Sequence, residues 1–233
     1  MLCGGTAEKH LGTGRITKVL AATDGSSPSE HAVRVAQVLA RGAGADLEVF
    51  RVESGIPGVE IVRRGELSHA DLVVLGRRQR DGASPSQERT TDMVVRRRSG
   101  VCLMIPPNVT GLDRMLIALD GTRRGLAILQ SAAAVAGALG AEMLAICVVP
   151  GDPDWSASSD PAVARVASAV GSANLRVRRG NPVREILAEL EESGANLLVL
   201  GVRRGGPPGE MGSGHIGQDL LRESSSAILT VPI

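Results

Sequence analysis

Short, uninterrupted apolar runs alternate with helical stripes along most of the chain. In the second half the runs are Met115–Leu119, Met143–Val149, Leu175–Val177, Leu197–Leu200 and Ile228–Val231. Runs of this kind mark strands buried on both faces, and the stripes between them imply a parallel sheet covered by helices, an α/β fold. Pro161–Val170 and Val183–Glu192 read as helices, the second opened by Asn181 as N-cap with Pro182 at its first helical position. In the first half, Ser27, Pro28 and Glu30 read as a capping box. They precede an apolar stripe of Ala32, Val35, Ala36 and Leu39 that stops near Gly42. The low-charge stretch Leu126–Val149 is interrupted by Gln130, Gly137, Gly140 and Glu142, so it reads as a helix followed by a buried strand rather than a membrane span.

The pattern repeats. KVLAATDG at Lys18–Gly25 is echoed by RMLIALDG at Arg114–Gly121, and in the same register Gly44-Ala45 matches Gly140-Ala141 and Val52 matches Val148. Farther on, VRRG at Val62–Gly65 recurs at Val177–Gly180, ADLVVLG at Ala70–Gly76 pairs with ANLLVLG at Ala195–Gly201, and Leu103–Pro106 pairs with Leu229–Pro232. The growing offset places insertions in the second copy after its second and third strands. Two units follow, 15–107 and 112–233, the second complete with five strands and the first reduced. In the first unit neither Glu53–Gly58 nor Gly65–His69 is long enough for a helical crossover. The expectation is therefore four parallel strands, with both counterpart helices lost and Val59–Gly65 either the crossover itself or an antiparallel edge piece. Part of that sheet face would then be exposed or packed on the second half.

Composition narrows the function. The 233 residues are 43% hydrophobic and 22% charged, as in a globular protein, yet Phe50 and Trp155 are the only aromatic residues. The core must be built from Ala, Val, Leu and Ile, and single-strand nucleic-acid binding through stacked aromatics is not expected. With 26 basic and 25 acidic residues, no global field draws DNA or an anionic membrane. The arginine-rich stretch Arg63–Arg98 reads as a solvated face. Cys3, Cys102 and Cys147 lack C-x-x-C spacing, which argues against zinc or a disulfide framework and for a reducing compartment. Met1–Gly14 has no apolar secretory core, so a cytoplasmic location is expected.

Chemistry concentrates at strand ends. In Gly201–Leu221 a strand opens into a glycine-rich loop and then a helical pattern, an arrangement that offers main-chain N–H groups to a phosphate. No P-loop motif occurs. Gly212, Gly214 and Gly217 spell G-x-G-x-x-G, but too far beyond the strand for a dinucleotide fingerprint. Asp24 and Asp120 each end a strand before Gly, as turn-formers or as ligand contacts. His10, His31 and His69 are isolated.

Together, Asp24-Gly25-Ser26, Asp120-Gly121-Thr122, the phrase G-A-[DN]-L-x-V-L-G and the last R-x-x-[ST]-x-x-x-[IL] strand resemble a tandem universal stress protein from Arg15 onward. The resemblance implies two Rossmann-like units of the adenine nucleotide alpha hydrolase type. Nucleotide-binding members carry G-x(2)-G-x(9)-G-[ST], and counting from Gly201 puts Arg204, Gly214 and His215 on the later positions, with Gly205 and Ser213 adjacent. In the first copy Gly76 is followed by Gln79, Glu88 and Arg89, where a carboxylate would repel phosphate. By resemblance, adenine nucleotide would lie with Asp120, Gly121 and Val148 near base and ribose and with Gly201, Arg204, Gly205, Gly214, His215 and Ile216 around its phosphates, as ATP with Mg²⁺. The family pairs its last strands between subunits. Here Leu103–Pro106 against Leu229–Pro232 would supply a pseudo-dimer within the chain, with a homodimer of chains as a further arrangement. The implied role is regulatory and non-catalytic, without nucleic-acid or membrane partners. The alternatives are a nucleotide-free interaction module or an ATP-dependent enzyme on the related fold, for which the S-G-G-x-D-S type of loop is missing.

Overall fold

The computed structural model describes residues 14–77, 90–97, 100–149, 151, 156, 160–202 and 215–233. The first half runs β1 (Lys18–Thr23), α1 (Ser27–Ala43), β2 (Asp46–Arg51), α2 (Pro57–Leu67), β3 (Leu72–Gly76), α3 (Thr90–Arg97) and β4 (Val101–Ile105). The second half continues with β5 (Arg114–Ala118), α4 (Arg123–Leu139), β6 (Glu142–Val149), α5 (Pro161–Val170), β7 (Leu175–Arg179), α6 (Pro182–Ser193), β8 (Leu197–Val202), α7 (His215–Glu223) and β9 (Ala227–Pro232). A single 3-10 turn at Ser172–Asn174 precedes β7.

All strands join one nine-stranded sheet in the order β2-β1-β3-β4-β9-β8-β5-β6-β7. Every neighbouring pair is parallel except β4 and β9, which run antiparallel with Leu103 opposite Leu229. The last strands of the two halves therefore pair within the chain, as the resemblance implied. Odd and even strand positions feed two separate cores. One lies beneath α1, α4 and α5 and contains Val19, Leu103, Met115 and Leu229; the other lies beneath α2, α3, α6 and α7 and contains Leu20, Met104, Leu116 and Ile228. Both cross the β4–β9 junction without a break. Aliphatic side chains fill them, and these interdigitate in well-defined rotamers without needing aromatic bulk.

Two expectations need correction. Val59–Gly65 is the crossover from β2 to β3 and not an edge strand, and that crossover keeps a helix, because the segment lies inside the 11-residue helix α2. Pro57 starts that helix, Glu60 and Arg64 suit its ends, and Ile61 is buried. Gly58 lets α2 close on α3, since a Cβ there would sit 2.6 Å from the sulfur of Met93. Each flanking piece alone is too short, whereas the whole span from β2 to β3 has room for a helix of about 16 Å. The VRRG match is thus a coincidence, helical in α2 and extended in β7. The first half keeps the counterpart of α6 and lacks one contiguous block, that of α5 and β7. This leaves β2 as a sheet edge, with Val49 49% exposed on the face that α5 covers in the other half.

The second correction concerns α1. Its N-cap is Ser26, not Ser27, and the Ser26 side chain makes no capping bond to the helix. Glu30 serves elsewhere, accepting a hydrogen bond from Thr23 Oγ1 at 2.8 Å. The Asn181 reading holds, its Oδ1 accepting from the N–H groups of Val183 and Arg184 at 3.0 and 3.2 Å.

The halves also meet through α1 and α4. A Cβ on Gly42 would lie 1.8 Å from the carbonyl oxygen of Ala138, so the two backbones touch where only hydrogen fits. Gly42→Leu is expected to destabilise the chain by about 1–3 kcal/mol through overpacking; a urea denaturation midpoint equal to wild type would contradict this contact.

At the opposite edge, Arg178 on β7 collects three carboxylates of α6. Its Nε donates to Glu189 at 2.6 Å, Glu185 lies at 3.7 Å, and its Nη2 also bonds Glu192. The guanidinium holds the Glu192 carboxyl below its usual value of 4.5. A depressed folded-state pKa means that the contribution is complete above the unfolded value and lost as pH falls through the folded one. Wild type is therefore expected to lose more stability than Glu192→Gln on acidification below about 4.5, read as urea midpoints; parallel pH profiles would contradict the pairing.

Candidate functional site

After β5 the chain turns to α4 on one face of the sheet, and after β8 it turns to α7 on the other. The adjacent strands β5 and β8 thus part at their carboxyl ends and leave a crevice, the place where open α/β sheets bind ligands. Asp120 and Gly121 form its floor beyond β5. Gly121 has φ 68°, and a Cβ there would meet Ala162 Cβ at 2.5 Å, so the turn tolerates no side chain. The Gly121 carbonyl accepts a hydrogen bond from Arg165 Nε at 2.7 Å, which pins α5 over the turn.

Asp120 is exposed. Its Oδ1 accepts from the Thr122 N–H at 2.9 Å and from Thr122 Oγ1 at 2.7 Å, while Thr122 Oγ1 caps α4 by accepting from the Gly125 N–H. Both bonds of the carboxylate fall on Oδ1; among the described residues Oδ2 takes part in none. Gly125 is needed here, since a Cβ would stand 2.2 Å from Oδ1. Behind this floor lies Cys147, buried on β6, whose thiol is pushed up to about 11 first by burial and then by the carboxylates of Asp160 and Asp120. It stays protonated at neutral pH and is a core residue rather than a nucleophile.

The other anticipated residues sit as follows. Val148 is half-buried on β6, Gly201 is half-buried near the end of β8, and Ile216 is 38% exposed in the first turn of α7. A Cβ on Gly201 would meet Ile233 Cδ1 at 2.8 Å, so this glycine also makes room for the end of the chain. His215 opens α7, and its side chain lies outside the described residues, as do Arg204, Gly205 and Gly214 and, in the first half, Gln79, Glu88 and Arg89.

The matching corner of the first half is bonded differently, although Asp24 and Gly25 are both exposed there. Asp24 Oδ1 accepts from the Ser26 N–H at 3.0 Å, from Ser26 Oγ and from Ser29 Oγ at 2.8 Å, and Ser29 Oγ also lies 3.0 Å from Thr23 Oγ1. The guanidinium of Arg51 lies against Gly25, where a Cβ would sit 2.8 Å from Nη2. The first turn of α1 closes on the end of β3, a Cβ on Gly76 meeting the Pro28 carbonyl oxygen at 2.6 Å. At Gly201 the nearest atoms are those of Ile233 instead. Gly125, Asp160 and Arg165 also shape the second crevice, beyond the residues the sequence points to. Only Gly125 had a visible signal, since the repeat register aligns it with Ser29.

Among the described residues no group of three or more His, Cys, Asp or Glu side chains is placed to hold a metal ion. Nor is any helix among them long and apolar enough to cross a membrane.

The profile of the Universal stress protein family matches residues 111–232. Among solved structures, a universal stress protein from Archaeoglobus fulgidus superposes with a TM-score of 0.67 at 19% identity, covering 92% of this chain and 98% of that one. A putative universal stress protein from Pseudomonas aeruginosa gives 0.65 at 15% identity, covering 95% and 84%. These two matches span both halves and share the fold. No curated protein matches the chain in sequence. With the family profile covering more than half of its length and the parallel sheet parting at β5 and β8, the chain belongs to the universal stress protein family.

Proposed function

We propose that the chain is a cytoplasmic, non-catalytic stress-response regulator that binds one adenine nucleotide, ATP with Mg²⁺, in its second half. On this reading, unit 112–233 carries the site and unit 15–107 is a degenerate partner, their β4–β9 pairing standing in for pairing between two chains. The observation that carries the proposal is the contrast between the two strand-end aspartates. Asp120 is exposed beside a turn over which Arg165 pins α5, whereas Asp24, equally exposed, belongs to the half that lacks the counterpart of α5, and its Oδ1 takes a further bond from Ser29 Oγ. A ribose or base can hydrogen-bond an available carboxylate oxygen at a sheet switch point, and the start of α7 favours phosphate through its N–H groups. Mg²⁺ would come with the phosphates. A regulatory role fits a site whose nearby thiol is held protonated and whose aspartate is tied to the cap of its own helix.

Mass spectrometry of small molecules released from denatured, purified protein tests this reading. Unhydrolysed adenine nucleotide supports it. A hydrolysis product alone favours an enzyme, and wild-type protein that neither carries nor takes up nucleotide favours an interaction module.

A further inference from the structure

Arg77 directly follows β3, and its backbone N–H donates to the Ile105 carbonyl at 2.8 Å and so extends the β3–β4 ladder. From that rigid base the half-buried side chain reaches into the other half. Its Nη2 donates to the carbonyl oxygen of Ser224 at 2.7 Å. Ser224 is 4% exposed and closes α7, its own N–H bonded to the Leu220 carbonyl at 3.0 Å. A guanidinium thus satisfies a terminal carbonyl of α7 at the negative end of the helix dipole. The contact has no reciprocal: the repeat aligns Arg77 with Val202, which has no donor to offer α3.

The geometry points to Arg77 as a positioning residue through which the first half sets α7, and with it the phosphate end of the second-half site. This inference rests on the proposed nucleotide reading. A nine-residue helix is a rod of about 13 Å, so fixing Ser224 at one end fixes the N–H groups at the other, where the glycine-rich segment enters at His215. This contact gives the first half a function at the other site. Within its own half α7 packs on α6 and β8, and Arg77 adds a contact to its last turn from the other half.

The test uses the full chain as wild type, Arg77→Lys and Arg77→Met, with hydrogen-exchange mass spectrometry without nucleotide and calorimetric titration with ATP and Mg²⁺. In Arg77→Met, exchange in 215–223 is expected to speed up and ATP affinity to fall, each by about two- to thirtyfold. Arg77→Lys, which keeps the charge, should recover part of both, and α1 and α5 should exchange as in wild type. Unchanged exchange in α7 overturns the inference, as does faster exchange with unchanged affinity or a uniform rise across all helices. If Arg77→Met fails to fold, Arg77→Lys decides by the same two readouts. Should wild type bind no ATP, the nucleotide reading fails, and the exchange of α7 alone still decides whether Arg77 holds it.

Discussion

Gly121→Val is expected to abolish nucleotide binding and to cost about 2–5 kcal/mol of stability. The φ of 68° is a left-handed conformation that costs a side-chain-bearing residue about 1–2 kcal/mol. Placing a branched side chain where Ala162 Cβ already lies within 2.5 Å adds overpacking of about 1–3 kcal/mol. Relief requires α5 to move, which breaks the Arg165 bond and tilts the Asp120 turn. Gly25→Val is the internal control, with φ 79° but facing only the end of the flexible Arg51 side chain. It should cost about 1–2 kcal/mol and leave nucleotide binding intact. Urea denaturation and calorimetric titration of the two variants read both effects; equal losses of binding would contradict the assignment of the site to the second half.

Expressed alone, residues 1–110 are expected to be insoluble or molten, while residues 111–233 fold. Cutting between the halves strips β9 from β4 and α4 from α1, exposing Leu103 and Ile105, both fully buried in the whole chain. Neither core is confined to one half, so the four-stranded piece is left with an open apolar edge on one side and the exposed Val49 edge on the other. The second piece retains five strands with helices on both faces, and its bare β9 edge can pair with that of another copy. Size-exclusion chromatography with thermal melts decides the matter. A cooperatively melting first piece would show that the halves are independent.

Most strands were legible in the sequence because a strand buried on both faces leaves an apolar run that no helix stripe imitates. The helix with strong punctuation, opened by Asn181-Pro182, was legible too, as was Pro161–Val170. α2 was not, because its two buried glycines weaken the apolar stripe and VRRG happens to match a strand in the other copy. Ser26 is masked as N-cap by its neighbour Ser27, which stands three residues before Glu30, whose carboxylate goes to Thr23 instead. Asp120 and Gly121 could be picked out as a strand-end turn. What makes that turn differ from Asp24-Gly25 could not, since it depends on Arg51 and Ser29 folding inward and on Ala162 and Arg165 arriving from a helix that the first half lacks.

Calorimetric titration of the full chain with ATP and Mg²⁺ tests the central claim most directly, because it counts sites. One nucleotide per chain is predicted, lost in Asp120→Ala and kept in Asp24→Ala. Two per chain, none, or a single site lost in Asp24→Ala and kept in Asp120→Ala would contradict it.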